Sequence, residues 1–317
     1  MAGGETRDGV ELTNLDQPLF DGADATKRDL VDYLDRVSDR IIPELADRPL
    51  SVIRVHRGQD AFMQKNVPKY TPDFVRTVVH WAETSKREVT YAVCDDRRTL
   101  LWFANQRAIE YHPGLTTVTH PGEQSHLILD LDPPEGDGFG MAVRAAQLVR
   151  DVLTDLGLDA VVKTSGAKGV HVFVPIAAAP MEDVAAATRA IAARAAALDP
   201  AVATTEFLKE DRHGLVFVDP TRVGGGTVVA AYSPRLRPGA PVSFPVGWDE
   251  LDAVTPGDFT IRNAPALLET RADCWAARMP APQTIPADLV EEGHTIPVPR
   301  VAAMHEGKRR ARARRTD

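Results

Sequence analysis

Asp130 and Asp132 stand in the run Leu127-Ile128-Leu129-Asp130-Leu131-Asp132-Pro133-Pro134, where aliphatic and acidic residues alternate. On a β-strand that alternation projects both carboxylates onto one face. Residues two apart on a strand lie about 6.5 Å apart, which suits a pair of hard cations that sit about 3.5–4 Å from each other. Phosphoryl or nucleotidyl transfer is the first chemistry to consider. A second aliphatic run, Leu215-Val216-Phe217-Val218-Asp219, ends in an acid and supplies a third metal-ligand candidate. Between two strand-like runs, Ala160 to Thr164 and Val170 to Ile176, the segment Ser165-Gly166-Ala167-Lys168-Gly169-Val170-His171 reads as a turn bearing a hydroxyl, an ammonium and an imidazole. These groups bind phosphate.

Each signal also has a plainer reading. Haloacid-dehalogenase phosphatases begin with a similar strand, on which Asp130 would be the nucleophile and Asp132 the acid; Pro133-Pro134 fits that pattern poorly. The turn is not a P-loop, since Gly-x-x-x-x-Gly-Lys-Ser/Thr leading into a helix is absent, and a glycine-rich hairpin would have the same composition. His171 shares a strand side with Phe173, as a core histidine would. Asp219 before Pro220 could simply end a strand, and Arg212 and Arg235 by themselves read as surface arginines.

The elements that must carry these residues follow from periodicity. Thr26-Lys27-Arg28-Asp29 resembles a capping box, and Leu30, Leu34, Val37 and Ile41 follow at helical spacing, so a helix begins near Lys27. Lys27 then sits at the positive end of a helix dipole, where a terminal phosphate is favoured. Strands are expected at Leu50 to Val55, Val89 to Cys94 and Leu100 to Ala104, with Asp95-Asp96-Arg97-Arg98 as a hairpin turn. Met141, Ala145, Leu148, Val149, Val152, Leu153 and Leu156 form one apolar helical stripe that Gly157 stops, and an alanine-rich helix is expected from Asp183 to Leu198. Strands and helices alternate unevenly, which favours an α+β fold over a doubly wound parallel sheet. From Arg237 onward prolines are frequent, so this segment is expected to wrap the core.

In order along the chain, Asp130-Leu131-Asp132-Pro133, Thr164-Ser165-Gly166-Ala167-Lys168-Gly169-Val170-His171, Val216-Phe217-Val218-Asp219 and Tyr232-Ser233-Pro234-Arg235 resemble the motifs of one family. It is the polymerase domain of the bacterial non-homologous end-joining ligase D, within the archaeo-eukaryotic primase superfamily. The similarity runs from Leu12-Thr13-Asn14-Leu15-Asp16 to about Trp248-Asp249-Glu250-Leu251. It implies a primase-polymerase core with mixed and antiparallel sheets flanked by helices. It also implies a DNA-dependent nucleotidyltransferase that extends primer 3′ ends at gaps or breaks, with ribonucleotides preferred. By the same resemblance, Asp130, Asp132 and Asp219 are the catalytic acids and hold two divalent cations, Mn2+ or Mg2+. Ser165, Lys168, Gly169, His171, His112 and Arg235 would bind the incoming nucleotide, and Lys27, Phe62 and Arg212 would contact DNA. Three departures stand out: Gln17 replaces a second phosphate-binding lysine, Met63 replaces the second of two stacking aromatics, and Pro220 to Gly226 replaces Trp-Ser-Gln-Asn after the third acid. Phe62 alone could equally be a core phenylalanine.

With 317 residues the chain can bury a full core. One domain is expected over residues 1–300, comprising an N-terminal region (residues 1–120), a catalytic core (residues 121–250) and a wrapping segment (residues 251–300), followed by a basic, disordered tail over residues 301–317. Cys94 and Cys274 make neither a disulfide framework nor a thiolate zinc site, so a cytoplasmic location is the default. No apolar signal core or membrane-length run is present. The net charge of −8 argues against nonspecific DNA coating but not against a local basic groove. Lys308, Arg309, Arg310, Arg312, Arg314 and Arg315 gather positive charge at the end. A Lys-x-Asp-Gly motif is absent, so a ligase is expected as a separate partner, alongside an end-binding protein, gapped or broken DNA and nucleoside triphosphates. A non-catalytic DNA-end-binding module is the alternative from another functional class.

Overall fold

The computed structural model describes residues 5–298 except 57, 83–85, 137 and 272. A hairpin of β1 (Glu5–Arg7) and β2 (Val10–Leu12) precedes helices α1 (Lys27–Arg36) and α2 (Ser38–Leu45). Next come β3 (Leu50–Arg54), β4 (Phe62–Gln64), β5 (Thr77–Ala82), β6 (Arg87–Ala92), α3 (Arg97–Asn105) and β7 (Ala108–Pro113). The second half contains β8 (Glu123–Asp132), α4 (Phe139–Asp155), β9 (Val161–Thr164), β10 (Val170–Pro180), α5 (Met181–Leu198), β11 (Ala203–Thr204), β12 (Val216–Asp219) and β13 (Pro245–Val246). Short helices α6 (Ala264–Thr270), α7 (Cys274–Arg278) and α8 (Ala287–Thr295) follow.

Two larger sheets result. The first has the order β4-β3-β6-β5 with β7 also paired to β3; the second has the order β11-β12-β8-β10-β9-β13. In the second only β11 and β12 are parallel; the other pairs are antiparallel. This is the α+β arrangement expected from the uneven alternation. α4 and α5 pack on the second sheet, and Leu127, Leu129 and Leu131 of β8 are fully buried with Val149 and Ile191 in one apolar cluster. That cluster also takes in Leu30, Leu34, Leu50 and Phe103 from the first half. Among the described residues no helix is long and apolar enough to cross a membrane.

Two local expectations are corrected. The run Leu100 to Ala104 is helical, and Asp95-Asp96-Arg97-Arg98 is a helix start instead of a hairpin turn: the Asp96 carboxylate accepts from the Thr99 N–H at 2.7 Å as an N-cap. Leu100, Leu101, Trp102, Phe103 and Ala104 are five consecutive buried residues, so the run by itself shows neither a helical nor a strand period. The helix opened by the Thr26–Asp29 capping box does not run through Ile41 but breaks at Val37. There the Ser38 hydroxyl donates to the Asp35 carbonyl at 2.9 Å, a side-chain bond that competes with helix continuation. Leu30, Leu34, Val37 and Ile41 are nevertheless all buried, as their spacing required.

Candidate active site

The pairing register lines up one row of side chains across four strands. Asp219 of β12 lies opposite Asp130 of β8, Asp130 opposite His171 of β10, and His171 opposite Lys163 of β9. Cross-strand partners share a face, so the row forms one polar stripe on the face away from the leucines of β8. Two carboxylates directly opposite each other repel, and cations relieve that repulsion here. The Asp130 Oδ1 atom is 3.3 Å from His171 Nε2, and its Oδ2 accepts from Arg222 at 3.0 Å. Asp219 turns Oδ1 toward its own loop, accepting from the Thr221 N–H at 2.7 Å and hydroxyl at 2.6 Å, while its Oδ2 is 3.4 Å from Arg222.

Burial opposes ionisation of Asp130, but His171 and Arg222 hold its carboxyl well below the usual range. For Asp219, burial raises the pKa, reinforced by the Asp130 charge against the pull of Thr221 and Arg222. His171 is pushed down to about 4, by burial first and then by the Lys163 ammonium. Lys163 Nζ, fully buried, lies 2.8 Å from His171 Nδ1 and donates to Ser243 Oγ at 2.5 Å. With Lys163 as donor, Nδ1 accepts, and the imidazole keeps its proton on Nε2, toward Asp130.

Asp132 lies opposite Phe217 and has its own cations: Lys168 Nζ is 3.1 Å from Oδ1, and Arg212 donates to Oδ2 at 2.9 Å. Arg212 is fixed by bonds to the Glu206 and Phe207 carbonyls and lies over the Phe217 ring at 4.0 Å. Among the described residues, no three His, Cys, Asp or Glu side chains converge as a metal ligand set. The acids are instead divided between cations of the chain itself.

The turn after β9 is braced internally. Ser165 Oγ accepts from the Ala167 and Gly169 N–H groups at 3.2 and 3.0 Å. A Cβ at Gly169 would fall 2.1 Å from the Leu131 carbonyl oxygen, so only glycine lets the turn lie against β8 between the two acids. Lys168 also donates to the Pro133 carbonyl at 2.9 Å. Arg235 donates to the Ser165 carbonyl and lies 3.2 Å from Glu110, whose other oxygen meets His112 Nε2 at 2.8 Å. Burial works against the Glu110 charge, yet His112 and Arg235 hold its pKa down to about 2. Thus Ser165, Lys168, Gly169, His171, Arg235 and His112 are connected to the acids through one contact network.

Phe62 and Lys27 lie outside that network. Phe62 is on edge strand β4, 38% exposed and stacked on His56 at 5.2 Å, so it is not a core residue. Lys27 is buried, and its amine donates to the Thr13 carbonyl at 2.5 Å and Asn105 Oδ1 at 2.6 Å. Burial, then the Arg107 charge, push it down to about 8.

Sequence reasoning missed Lys163, Glu110, Ser243 and Arg222. Lys163 and Glu110 are charged residues placed directly beside apolar ones on their strands, and Glu110 stands two residues before His112, hence on its face. Those placements were the available signal. Ser243 and Arg222 lie in irregular backbone with no periodicity to read.

A family model described as "LigD, primase-polymerase domain" matches residues 26–275. The bifunctional non-homologous end joining protein LigD of Bacillus subtilis (strain 168) is 35% identical over 260 residues, 80% of this chain and 41% of that protein. The multifunctional non-homologous end joining DNA repair protein LigD of Mycobacterium tuberculosis (strain H37Rv) is 35% identical over 259 residues, 77% of this chain and 33% of that protein. The chain therefore spans less than half the length of these relatives. Among solved structures, the polymerase domain from Mycobacterium tuberculosis ligase D in complex with DNA superposes with a TM-score of 0.76 at 30% identity, covering 86% of this chain and 99% of that one.

Proposed function

The chain belongs to the LigD primase-polymerase family, and from that premise we propose that it is a DNA-dependent nucleotidyltransferase that adds nucleotides, ribonucleotides by preference, to primer 3′ ends at gaps or breaks. The family match displaces the phosphatase alternative. The observation that carries the reading is the cross-strand row Asp219–Asp130–His171 with the Ser165–Gly169 turn packed against its edge. The donor set suits Mg2+ or Mn2+, since carboxylate oxygens are hard ligands and the Arg222 guanidinium stands in for a cation between the Oδ2 atoms of Asp130 and Asp219. When bound, such ions lower the pKa of the primer hydroxyl and neutralise the triphosphate.

The chain's own residues have these roles. Asp130, Asp219 and Asp132 hold the ions. His171, neutral and protonated on Nε2, orients Asp130. Lys168 meets triphosphate oxygens, where its ammonium offsets charge, and Ser165 and Gly169 shape the turn that presents it. Glu110 holds His112 and Arg235 toward the nucleotide end of the site. Phe62, exposed on its edge strand, offers a ring for template-base stacking, worth about 1–3 kcal/mol per base, and Arg212 links Asp132 to the DNA side. Lys27 is the remaining DNA-contact assignment, for a downstream 5′-phosphate. The apolar cluster common to both sheets supports one domain through about residue 300. Repair DNA, a DNA ligase activity and an end-binding protein are the partners that fit, in the cytoplasm.

Primer extension on gapped, overhanging and unprimed templates with each metal tests the reading. Asp130→Ala is expected to lose at least about a hundredfold in extension while DNA affinity stays near wild type, because it removes charge stabilisation at the reacting centre and no phosphate contact. Extension at the wild-type rate by this variant would refute the assignment of the acids. The ratio of kcat/KM for ribonucleotides over deoxyribonucleotides on one gapped template is expected to exceed one; a ratio below one removes the sugar preference.

A further inference from the structure

Arg222 sits in the segment Pro220 to Gly226, where the chain departs from the family pattern, and it has a specific position. Asp130 and Asp219 each use one oxygen internally: Oδ1 of Asp130 faces His171, and Oδ1 of Asp219 caps Thr221. The remaining Oδ2 atoms both face the Arg222 guanidinium, at 3.0 and 3.4 Å. The acids are enclosed, with side chains 15% and 8% exposed, whereas the arginine that covers them is 45% exposed. It can leave toward water without unpacking the core. Behind it, Gly224 and Gly225 have φ of 101° and 100°, a left-handed backbone that favours glycine.

We propose that Arg222 is a displaceable internal counter-cation of the carboxylate pair, which a divalent ion must evict in order to bind. The inference rests on reading Asp130 and Asp219 as metal ligands. Arg222 stabilises the carboxylate pair against mutual repulsion and thereby weakens metal binding by competition. Eviction moves the 220–226 loop, so metal arrival and loop position are coupled. The eviction exchanges a hydrogen-bonded ion pair for carboxylate–metal coordination, with no covalent bond made or broken and no change of oxidation state.

The test is Mn2+ binding to the protein without DNA or nucleotide, followed by electron paramagnetic resonance of the free ion, for wild type, Arg222→Gln and Asp130→Asn. Removing one unit charge a few ångströms from a half-buried site is expected to tighten Mn2+ binding by about tenfold in Arg222→Gln. Asp130→Asn should abolish the same site. In parallel, Mg2+ should speed amide hydrogen exchange at residues 221–226 of the wild type. Equal or weaker Mn2+ affinity in Arg222→Gln overturns the proposal even if the wild type binds metal through Asp130. Absence of any Asp130-dependent Mn2+ site in both proteins overturns the metal reading and the proposal together.

Discussion

The cations around each acid explain how the site tolerates its own charge. Asp130 and Asp219 are cross-strand neighbours, and the chain offsets their repulsion with the Arg222 guanidinium and the Nε2–H of the neutral His171 ring, while Asp132 is matched by Lys168 and Arg212. Basic side chains of the chain itself thus serve the acids as counter-ions. Lys27 is a different case. Its amine is enclosed by the Thr13 carbonyl and Asn105 Oδ1, so a helix-start lysine that sequence offers to a phosphate is bonded within the fold. Lys27→Ala should then lower stability by about 2 kcal/mol in the absence of DNA, because the two hydrogen bonds that the charged amine makes to the Thr13 carbonyl and Asn105 Oδ1 are lost. Urea unfolding measures this, and a variant as stable as wild type would show that the amine is available to a 5′-phosphate after all.

The site at the element scale depends on β8 being central. Flanked by β12 and β10, it receives an acid from one side and an imidazole from the other, and its opposite face is fixed by fully buried leucines. A one-residue slip would exchange the faces, so core burial sets the direction of the carboxylates. The β9–β10 turn is held to this strand by glycine. Gly169→Ala would drive a Cβ into the Leu131 carbonyl and force β8 and the turn apart, at a cost of about 3 kcal/mol. Urea denaturation should show that loss together with reduced nucleotide affinity. Stability within about 0.5 kcal/mol of wild type would mean the turn is looser than its contacts indicate.

Charge is the property that matters for the whole molecule. The chain is net acidic, yet its basic residues concentrate at 308–317, a segment outside the described residues. Clustered cations displace condensed counter-ions from a duplex, so removal of residues 308–317 should weaken DNA binding regardless of sequence. It should also flatten the slope of log K against log salt by about 0.9 per lost phosphate contact. Extension at saturating DNA should persist, since no proposed nucleotide or metal ligand lies there. An unchanged salt slope would assign the segment no role in DNA binding.

Alternation and glycine placement by themselves determined that Asp130 and Asp132 share a face, that Ser165 to His171 is a turn between strands, that α4 ends at Gly157 and that the fold is α+β. Those are local properties, set by a backbone period and by residues with unusual φ. The α3 segment was unreadable because five consecutive buried apolar residues carry neither period. Only the tertiary structure decided that Asp219 faces Asp130 and not Asp132, since register between strands far apart in sequence is a long-range property. It alone revealed Lys163 behind His171, Glu110 between His112 and Arg235, and Arg222 across the acids. Each of these is an ordinary charged residue in sequence; its role comes from the oxygens and nitrogens that folding brings within hydrogen-bond distance.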